Sequence, residues 1–161
     1  MKEKKILIIA LNFWPESFPI NNIVQKLNKK FKIEVLTGFP NYPTGKFYKQ
    51  YKSYFVRKEQ YGETLINRVP ILPRFNGNPF FIFLNYTSFI LSACFFGFFL
   101  LFNKKFDIIF VYAPSPLLQS LIGIFFSKIK KIKLITWVQD LWPDVLISTG
   151  YIKNKIIINF L

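Results

Sequence analysis

The chain opens on a polar stretch and then an unbroken apolar run, Ile6-Leu7-Ile8-Ile9-Ala10-Leu11. This is the pattern of a strand buried on both faces in a parallel sheet. Beyond a proline-containing loop, Ile20, Ile23, Val24 and Leu27 recur at helical spacing. Lys26, Lys29 and Lys30 fall on the remaining face and the last turn. Phe31 to Thr37 predicts a second strand, with Ile33, Val35 and Leu36 as its core, so the chain begins as a βαβ unit. From Gly38 to Tyr54, glycines and prolines alternate with aromatics, which predicts an ordered excursion. Tyr54 to Lys58 and Thr64 to Val69 then predict a hairpin joined at Gln60-Tyr61-Gly62-Glu63.

Phe75 to Asn103 carries no charge. Within it, Phe80 to Phe102 is long enough to cross a bilayer and is flanked by Arg74 and Lys104-Lys105. Read as a helix, it places Asn85, Ser88 and Ser92 on one narrow stripe. A third buried-type strand follows at Phe106 to Tyr112. Leu117 to Lys128 reads as a helix, with Ser115 at its N-cap and Pro116 in its first turn. Ile132 to Val138 predicts a further strand. The turn Gln139 to Asp144 leads into a short helix ending near Gly150, and Asn154 is placed to cap another. The apolar end, Ile156 to Leu161, stops in mid-pattern and predicts an interrupted chain.

This order predicts an α/β fold: a Rossmann-like, mainly parallel sheet with flanking helices and a small hairpin excursion. It also bears on the long apolar helix. A bilayer span there would put the strands before and after it on opposite sides, unable to share a sheet. The expectation is a core helix or one lying in a membrane interface, with peripheral attachment.

Composition narrows the chemistry. The 161 residues are 52% hydrophobic and only 19% charged, which excludes intrinsic disorder and predicts one domain, or part of a larger protein, with a real core. The lone Cys94 excludes an internal disulfide and a cysteine-cluster metal site. The absence of histidine removes Ser-His-Asp and Cys-His catalysis and zinc-histidine sites. The start is not a secretory signal: after Lys2, Lys4 and Lys5 the apolar run is too short, and Asn12 to Glu16 offers no small-residue cleavage site. A net charge of +14 favours an anionic partner: nucleic acid, lipid headgroups or a phosphorylated substrate. A competing reading is A+T-rich coding, which raises Lys, Ile, Phe and Asn together. The lysines are dispersed with no nucleic-acid-binding motif, so nucleic acid is not the expected partner.

No Gly-x-Gly-x-x-Gly occurs. Gly38 to Lys46 is only superficially a phosphate-binding loop, because Phe47 stands where a Ser or Thr is needed. In parallel sheets ligands sit beyond the carboxyl ends of strands. Four proline-containing loops lie at such ends: Asn12 to Pro19, Gly38 to Lys46, Ala113 to Pro116 and Gln139 to Asp144. Together they predict a shaped cleft. Asp140, between Trp137 and Trp142, is placed either to orient or deprotonate a hydroxyl or to cap the following helix. Glu16 has the same two readings, ligand contact or cap of the helix near Ile20. Trp14 and Trp142 are available to stack on a sugar or simply to pack.

The segments Phe13-Trp14-Pro15-Glu16, Leu36 to Lys46 (LTGFPNYPTGK), Leu84 to Phe89 (LNYTSF), Tyr112 to Pro116 (YAPSP) and Trp137 to Asp144 (WVQDLWPD) occur in this order. Together they resemble the amino-terminal half of glycosyltransferase family 4 enzymes. The likeness is strongest to bacterial transferases of surface polysaccharides, including amino-deoxysugar transferases of O-antigen (lipopolysaccharide) and capsule pathways. The resemblance spans nearly the whole chain. It implies a GT-B architecture, in which the amino-terminal domain holds the acceptor and the carboxy-terminal domain binds the nucleotide-sugar through paired glutamates. It also implies sugar transfer with retention and no metal or other cofactor. By this likeness Asp140 is the catalytic-side carboxylate. Trp14, Glu16, Asn41, Tyr42, Gly45, Lys46, Ser115, Trp142 and Asp144 are substrate-binding positions.

The chain departs from that pattern at Pro19 and Asn22, where the family often has charged residues, and at Asp144, where glutamate is commoner. No two glutamates have the family spacing, so the nucleotide-sugar-binding domain is expected to be missing and the chain inactive alone. The expected partners are a nucleotide-sugar donor through that second domain, a lipid-linked or polysaccharide acceptor, and the inner face of a bacterial plasma membrane. The rival expectations are a non-enzymatic binding module or truncated remnant, and a small single-span membrane protein.

Overall fold

In the computed structural model, which describes residues 3–51, 55–114 and 117–139, the apolar runs become strands and the periodic segments helices. In chain order these are β1 (Lys5–Ile9), α1 (Pro19–Leu27), β2 (Lys32–Gly38), β3 (Arg57–Tyr61), β4 (Thr64–Val69), α2 (Pro79–Leu101), β5 (Ile108–Ala113), a 3-10 turn (Leu117–Gln119), α3 (Ser120–Lys130) and β6 (Lys133–Val138). The six strands form one sheet in the order β3-β4-β2-β1-β5-β6. Every neighbouring pair is parallel except β3 with β4. The five parallel strands, taken in order of appearance, therefore lie 3-2-1-4-5 across the sheet, the Rossmann-like order. The expected fold class holds.

The strand order reverses between β1 and β5. Right-handed crossovers then send the helices to opposite faces. On one face, Ile20 and Val24 of α1 pack on Ile6, Ile8, Val35 and Ile66. On the other, Phe89 and Ala93 of α2 and Ile122 and Phe126 of α3 pack on Leu7, Ile9, Leu36 and Val111. The alternation along β1 divides its residues between the two cores.

Helix α2 starts cleanly: the Asn78 side chain accepts from the Phe81 N–H at 3.0 Å, and Pro79 sits in the first turn. Its buried positions are Asn85, Phe89, Ala93, Gly97 and Leu101, a row of fours that crosses the sheet. Gly97 allows the close approach, since a Cβ there would lie 3.0 Å from both Leu36 and Phe126. The stripe expected from Asn85, Ser88 and Ser92 is therefore only partly the buried one. Asn85 is buried, whereas Ser88 and Ser92 flank an apolar row. The opposite side of α2 is also apolar: Phe83, Leu91, Phe95 and Phe99 are exposed, again at multiples of four. With β4 before α2 and β5 after it in the same sheet, α2 cannot cross a bilayer while this fold persists.

Three local expectations are corrected. The first hairpin strand begins at Arg57 rather than Tyr54. The register is set by the tight turn at Gly62 (φ +57°), which pairs Tyr61 with Thr64, and not by the aromatic residues that precede it. Residues 52–54 lie outside the described ones. The helix expected from Leu117 begins as a 3-10 turn, and the α-helix proper starts at Ser120 with Gln119 at its N-cap. The expected cap Ser115 lies outside the described residues, as do the elements expected after Gln139. Glu16 does not cap α1: the N-cap is Phe18, without a side-chain hydrogen bond.

At the amino end of the sheet the buried Glu34 of β2 gathers cations. Its carboxylate pairs with Lys5 at 2.9 Å and with Lys104, and accepts from Asn67 Nδ2 at 2.7 Å. Burial alone would raise its pKa; the bonds from Lys104, Lys5 and Asn67 outweigh that and hold the carboxyl below its usual range. Lys130 closes the end of α2, donating to the carbonyls of Leu101 and Lys104, each at 2.8 Å.

Candidate functional site at the strand-order reversal

The crevice beyond the carboxyl ends of β1 and β5 is where a Rossmann-like sheet opens to a ligand. A cavity of about 210 Å³ lies there. Leu11 and Asn12 enter it from the end of β1, and Tyr112 and Pro114 from the end of β5. Phe18 comes from the loop before α1, Tyr42 from the loop after β2, Arg74 from the loop after β4, Tyr86 from α2 and Gln119 from the 3-10 turn. Gln119 Oε1 accepts from the Leu11 N–H at 3.1 Å, and Thr37 donates to the Leu11 carbonyl at 3.0 Å. The end of β1 is thus fixed from both sides.

Arg74 is the cation of this cavity. Its guanidinium lies over the ring of Tyr42 at 5.5 Å and that of Tyr86 at 5.3 Å. Its Nε donates to Asn85 Oδ1 at 3.3 Å, and the Asn85 amide in turn donates to the Leu72 carbonyl at 2.6 Å. Ion pairs among the described residues join Lys5, Arg57, Arg68 and Lys104 to Glu34 or Glu59; Arg74 is in none of them. Tyr112 is buried, and burial raises its pKa, so its hydroxyl stays neutral as donor or acceptor. Among the described residues no three of His, Cys, Asp or Glu converge to hold a metal.

The substrate-binding positions expected from sequence divide into groups. Tyr42 lines the cavity and is 40% exposed. Glu16 stands behind it, 2% exposed. Its Oε1 accepts the backbone N–H groups of Asn41 and Tyr42, both at 2.7 Å, and its Oε2 accepts from Asn12 Nδ2 at 2.9 Å. Burial raises its pKa, and these bonds offset only part of that effect. Glu16 is therefore a brace between two loops rather than an exposed contact.

Asn41, also buried, accepts from the Arg74 backbone N–H at 3.1 Å and donates to the Phe39 carbonyl at 3.1 Å. Gly45 is a backbone requirement. It has φ +72°, and a Cβ there would fall 1.8 Å from the Phe75 carbonyl oxygen; its own carbonyl accepts from Phe75 N at 2.8 Å. These three residues shape the cavity without facing it.

Two further positions lie off the cavity. Trp14 stacks on Tyr61 of the hairpin, with centroids 5.1 Å apart and an interplanar angle of 24°. Lys46 is exposed and does not line the cavity. Asp140, Ser115, Trp142 and Asp144 lie outside the described residues.

Sequence reasoning missed Arg74, Tyr86, Tyr112 and Gln119 as site residues. The usable signal was β4. Read only as half of a hairpin, it is also a parallel strand beside β2, so the loop after it joins the same rim. It also missed Arg68, 0% exposed, which pairs with Glu59, bonds the Trp14 carbonyl and donates to the Gly38 carbonyl at 3.0 Å, tying the loops after β1 and β2 to the hairpin.

The class defined by these features is a Rossmann-like mixed α/β domain with an aromatic, cation-bearing cavity at its strand-order reversal. No protein-family model matches the chain, and no curated protein matches it significantly.

Proposed function

We propose that this chain is the acceptor-side domain of a retaining glycosyltransferase that moves a sugar from a nucleotide-sugar to a lipid-linked or polysaccharide acceptor at the cytoplasmic face of a membrane. The observation that carries the reading is the convergence of separated motif segments on one cavity. Tyr42 comes from the Asn-Tyr-Pro-Thr-Gly-Lys segment, Tyr86 from Leu-Asn-Tyr-Thr-Ser-Phe, and Tyr112 and Pro114 from Tyr-Ala-Pro-Ser-Pro. Glu16 of Phe-Trp-Pro-Glu braces the Tyr42 loop. Residues kept for folding alone need not meet at the strand-order reversal.

In this reading the cavity holds the acceptor, and Asp140 orients or deprotonates its reacting hydroxyl. The nucleotide-sugar is bound by a second, carboxy-terminal domain, and the chain by itself transfers nothing. The test is to assay the chain alone, and fused to a family 4 carboxy-terminal domain, with a panel of nucleotide-sugars and a membrane lipid extract. Transfer is expected from the fusion only; turnover by the chain alone, or none by fusions that bind nucleotide-sugar, contradicts the reading. In an active fusion, Asp140→Asn keeps a capping oxygen and should leave the melting temperature near wild type. It should cut turnover by at least about tenfold, because positioned acid-base groups contribute roughly 10²–10⁴-fold.

A further inference from the structure

We propose that Arg74, held between Tyr42 and Tyr86, is an anion subsite that takes the phosphate or diphosphate of an amphiphilic ligand whose apolar part lies along the exposed ridge of α2. The ligand's identity as a lipid-linked acceptor rests on the acceptor-side reading; the subsite itself does not.

Arg74 is half-buried in the cavity, and among the described residues its side chain makes one hydrogen bond, from Nε to Asn85. Among the described residues its terminal guanidinium nitrogens have no hydrogen-bond partner, and it forms no ion pair. Two aromatic rings and the Asn85 carbonyl fix the plane of the guanidinium in advance. A planar fork so held loses little freedom on meeting a phosphate, which it matches with two parallel N–H···O bonds. The loop that presents it is equally fixed: its backbone N–H bonds Asn41 Oδ1, and Phe75 bonds Gly45.

At about 210 Å³ the cavity is smaller than the usual ~300–1,000 Å³ of a whole small-ligand pocket. It suits a phosphate or diphosphate, and a long apolar tail must lie outside it. Tyr86, which flanks the cation, belongs to α2, and Phe83 one turn earlier begins the exposed row that continues through Leu91, Phe95 and Phe99. Beside this row, Ile90, Cys94, Phe98 and Phe125 form an apolar groove. One helix thus offers a cation contact near one end and an apolar track along its length. That is the complement of a phosphate carried on a hydrocarbon chain.

The test has two arms, both with the full chain. Calorimetric titration with inorganic pyrophosphate reads the subsite. Co-sedimentation with phosphatidylcholine vesicles, plain or doped with polyprenyl phosphate, reads the carrier. Arg74→Gln should weaken pyrophosphate binding by roughly tenfold or more, the scale of a lost charge-assisted pair of bonds. Arg74→Lys, which keeps the charge but not the fork, should fall between. Tyr86→Leu, which leaves Arg74 in place, should weaken binding as well. Lys58→Gln, a charge change on an exposed β3 position, should leave it unchanged. Thermal melting verifies that each variant is folded.

Binding of pyrophosphate that depends on Arg74, with a preference for doped vesicles, supports the whole proposal. Arg74-dependent pyrophosphate binding without that preference keeps the subsite and overturns the lipid-linked acceptor. Equal binding by wild type and folded Arg74→Gln, or by Arg74→Gln and Lys58→Gln, overturns the subsite whatever the chain's activity.

Discussion

Lys5 and Lys104 at the amino end of the sheet and Arg74 at its carboxyl end are held in opposite ways. At the amino end, Lys5 and Lys104 converge on Glu34, and Lys130 is taken up by the carbonyls that close α2. At the carboxyl end, Arg74 rests on two aromatic rings and has no acidic partner among the described residues. Each end also holds a buried glutamate, and these differ too. Glu34 is paired with ammonium groups and its pKa is lowered, whereas Glu16 is bonded mainly by backbone and amide N–H groups and its pKa is raised. Ion pairing to a buried carboxylate marks Lys5 and Lys104 as structural cations. Arg74, without an acidic partner among the described residues, is the cation that the proposed anion subsite uses.

The comparison is broken most severely at Glu34. Glu34→Ala leaves two ammonium groups without their acid and opens a gap beneath α2. Breaking such a pair costs about 3–5 kcal/mol when the remaining charge is fully buried. Lys5 and Lys104 keep 27% and 25% side-chain exposure, so the low end, about 3 kcal/mol, is expected in urea unfolding. Pyrophosphate affinity of the folded fraction should be unchanged.

Gly45→Ala attacks the other end. It strains a left-handed position and drives a methyl group into the Phe75 carbonyl. A loss of about 1–3 kcal/mol is expected, and here pyrophosphate binding should weaken too, because the loop carrying Tyr42 must shift.

The two glutamates give the comparison a pH signature. Glu34 contributes stability that is present above the ordinary carboxyl value of 4.5 and lost as pH falls through its lower folded value. Glu16 works the other way. Its folded value lies above 4.5, so its ionisation opposes folding as pH rises through that window, and acidification relieves it. In urea unfolding followed against pH, Glu34→Gln should flatten the acid-side loss. Glu16→Gln, whose amide oxygen still accepts from Asn41 and Tyr42, should remove the opposing gain. The same slope in both variants would contradict the assignment.

The smallest effect on stability is expected on the α2 ridge. Phe95→Ser with Phe99→Ser alters only exposed rings, so stability should stay within about 0.5 kcal/mol per site. Flotation with phosphatidylcholine vesicles should nevertheless fall.

Much of the fold was legible because its signals are local. The continuous apolar run of β1, the helical spacing of Ile20, Val24 and Leu27, and the turn glycine Gly62 each specify a conformation over a few residues. The order of elements then implied a mainly parallel sheet. The site was less legible, since its members are brought together by topology. Glu16 read as either a ligand contact or a helix cap, and the resemblance made Asn41 a substrate position, but the bonds that occupy them come from loops that meet only once β2 pairs with β1 and with β4. Trp14 was drawn to a tyrosine of the hairpin, a contact 47 residues away in the chain that no local pattern announces. Arg74 looked like a flanking charge of an apolar helix. Its role depends on β4 lying parallel beside β2, a pairing hidden by the closer partner β3.

The most direct measurement is a pyrophosphate titration of the isotopically labelled chain, followed by amide chemical shifts. The amides of Asn12, Tyr42, Arg74 and Tyr86 should move together with one saturable affinity. Those of Lys5, Glu34 and Lys104 should remain in place. Larger shifts at the amino end, or small shifts spread over the exposed lysines alone, would contradict the subsite.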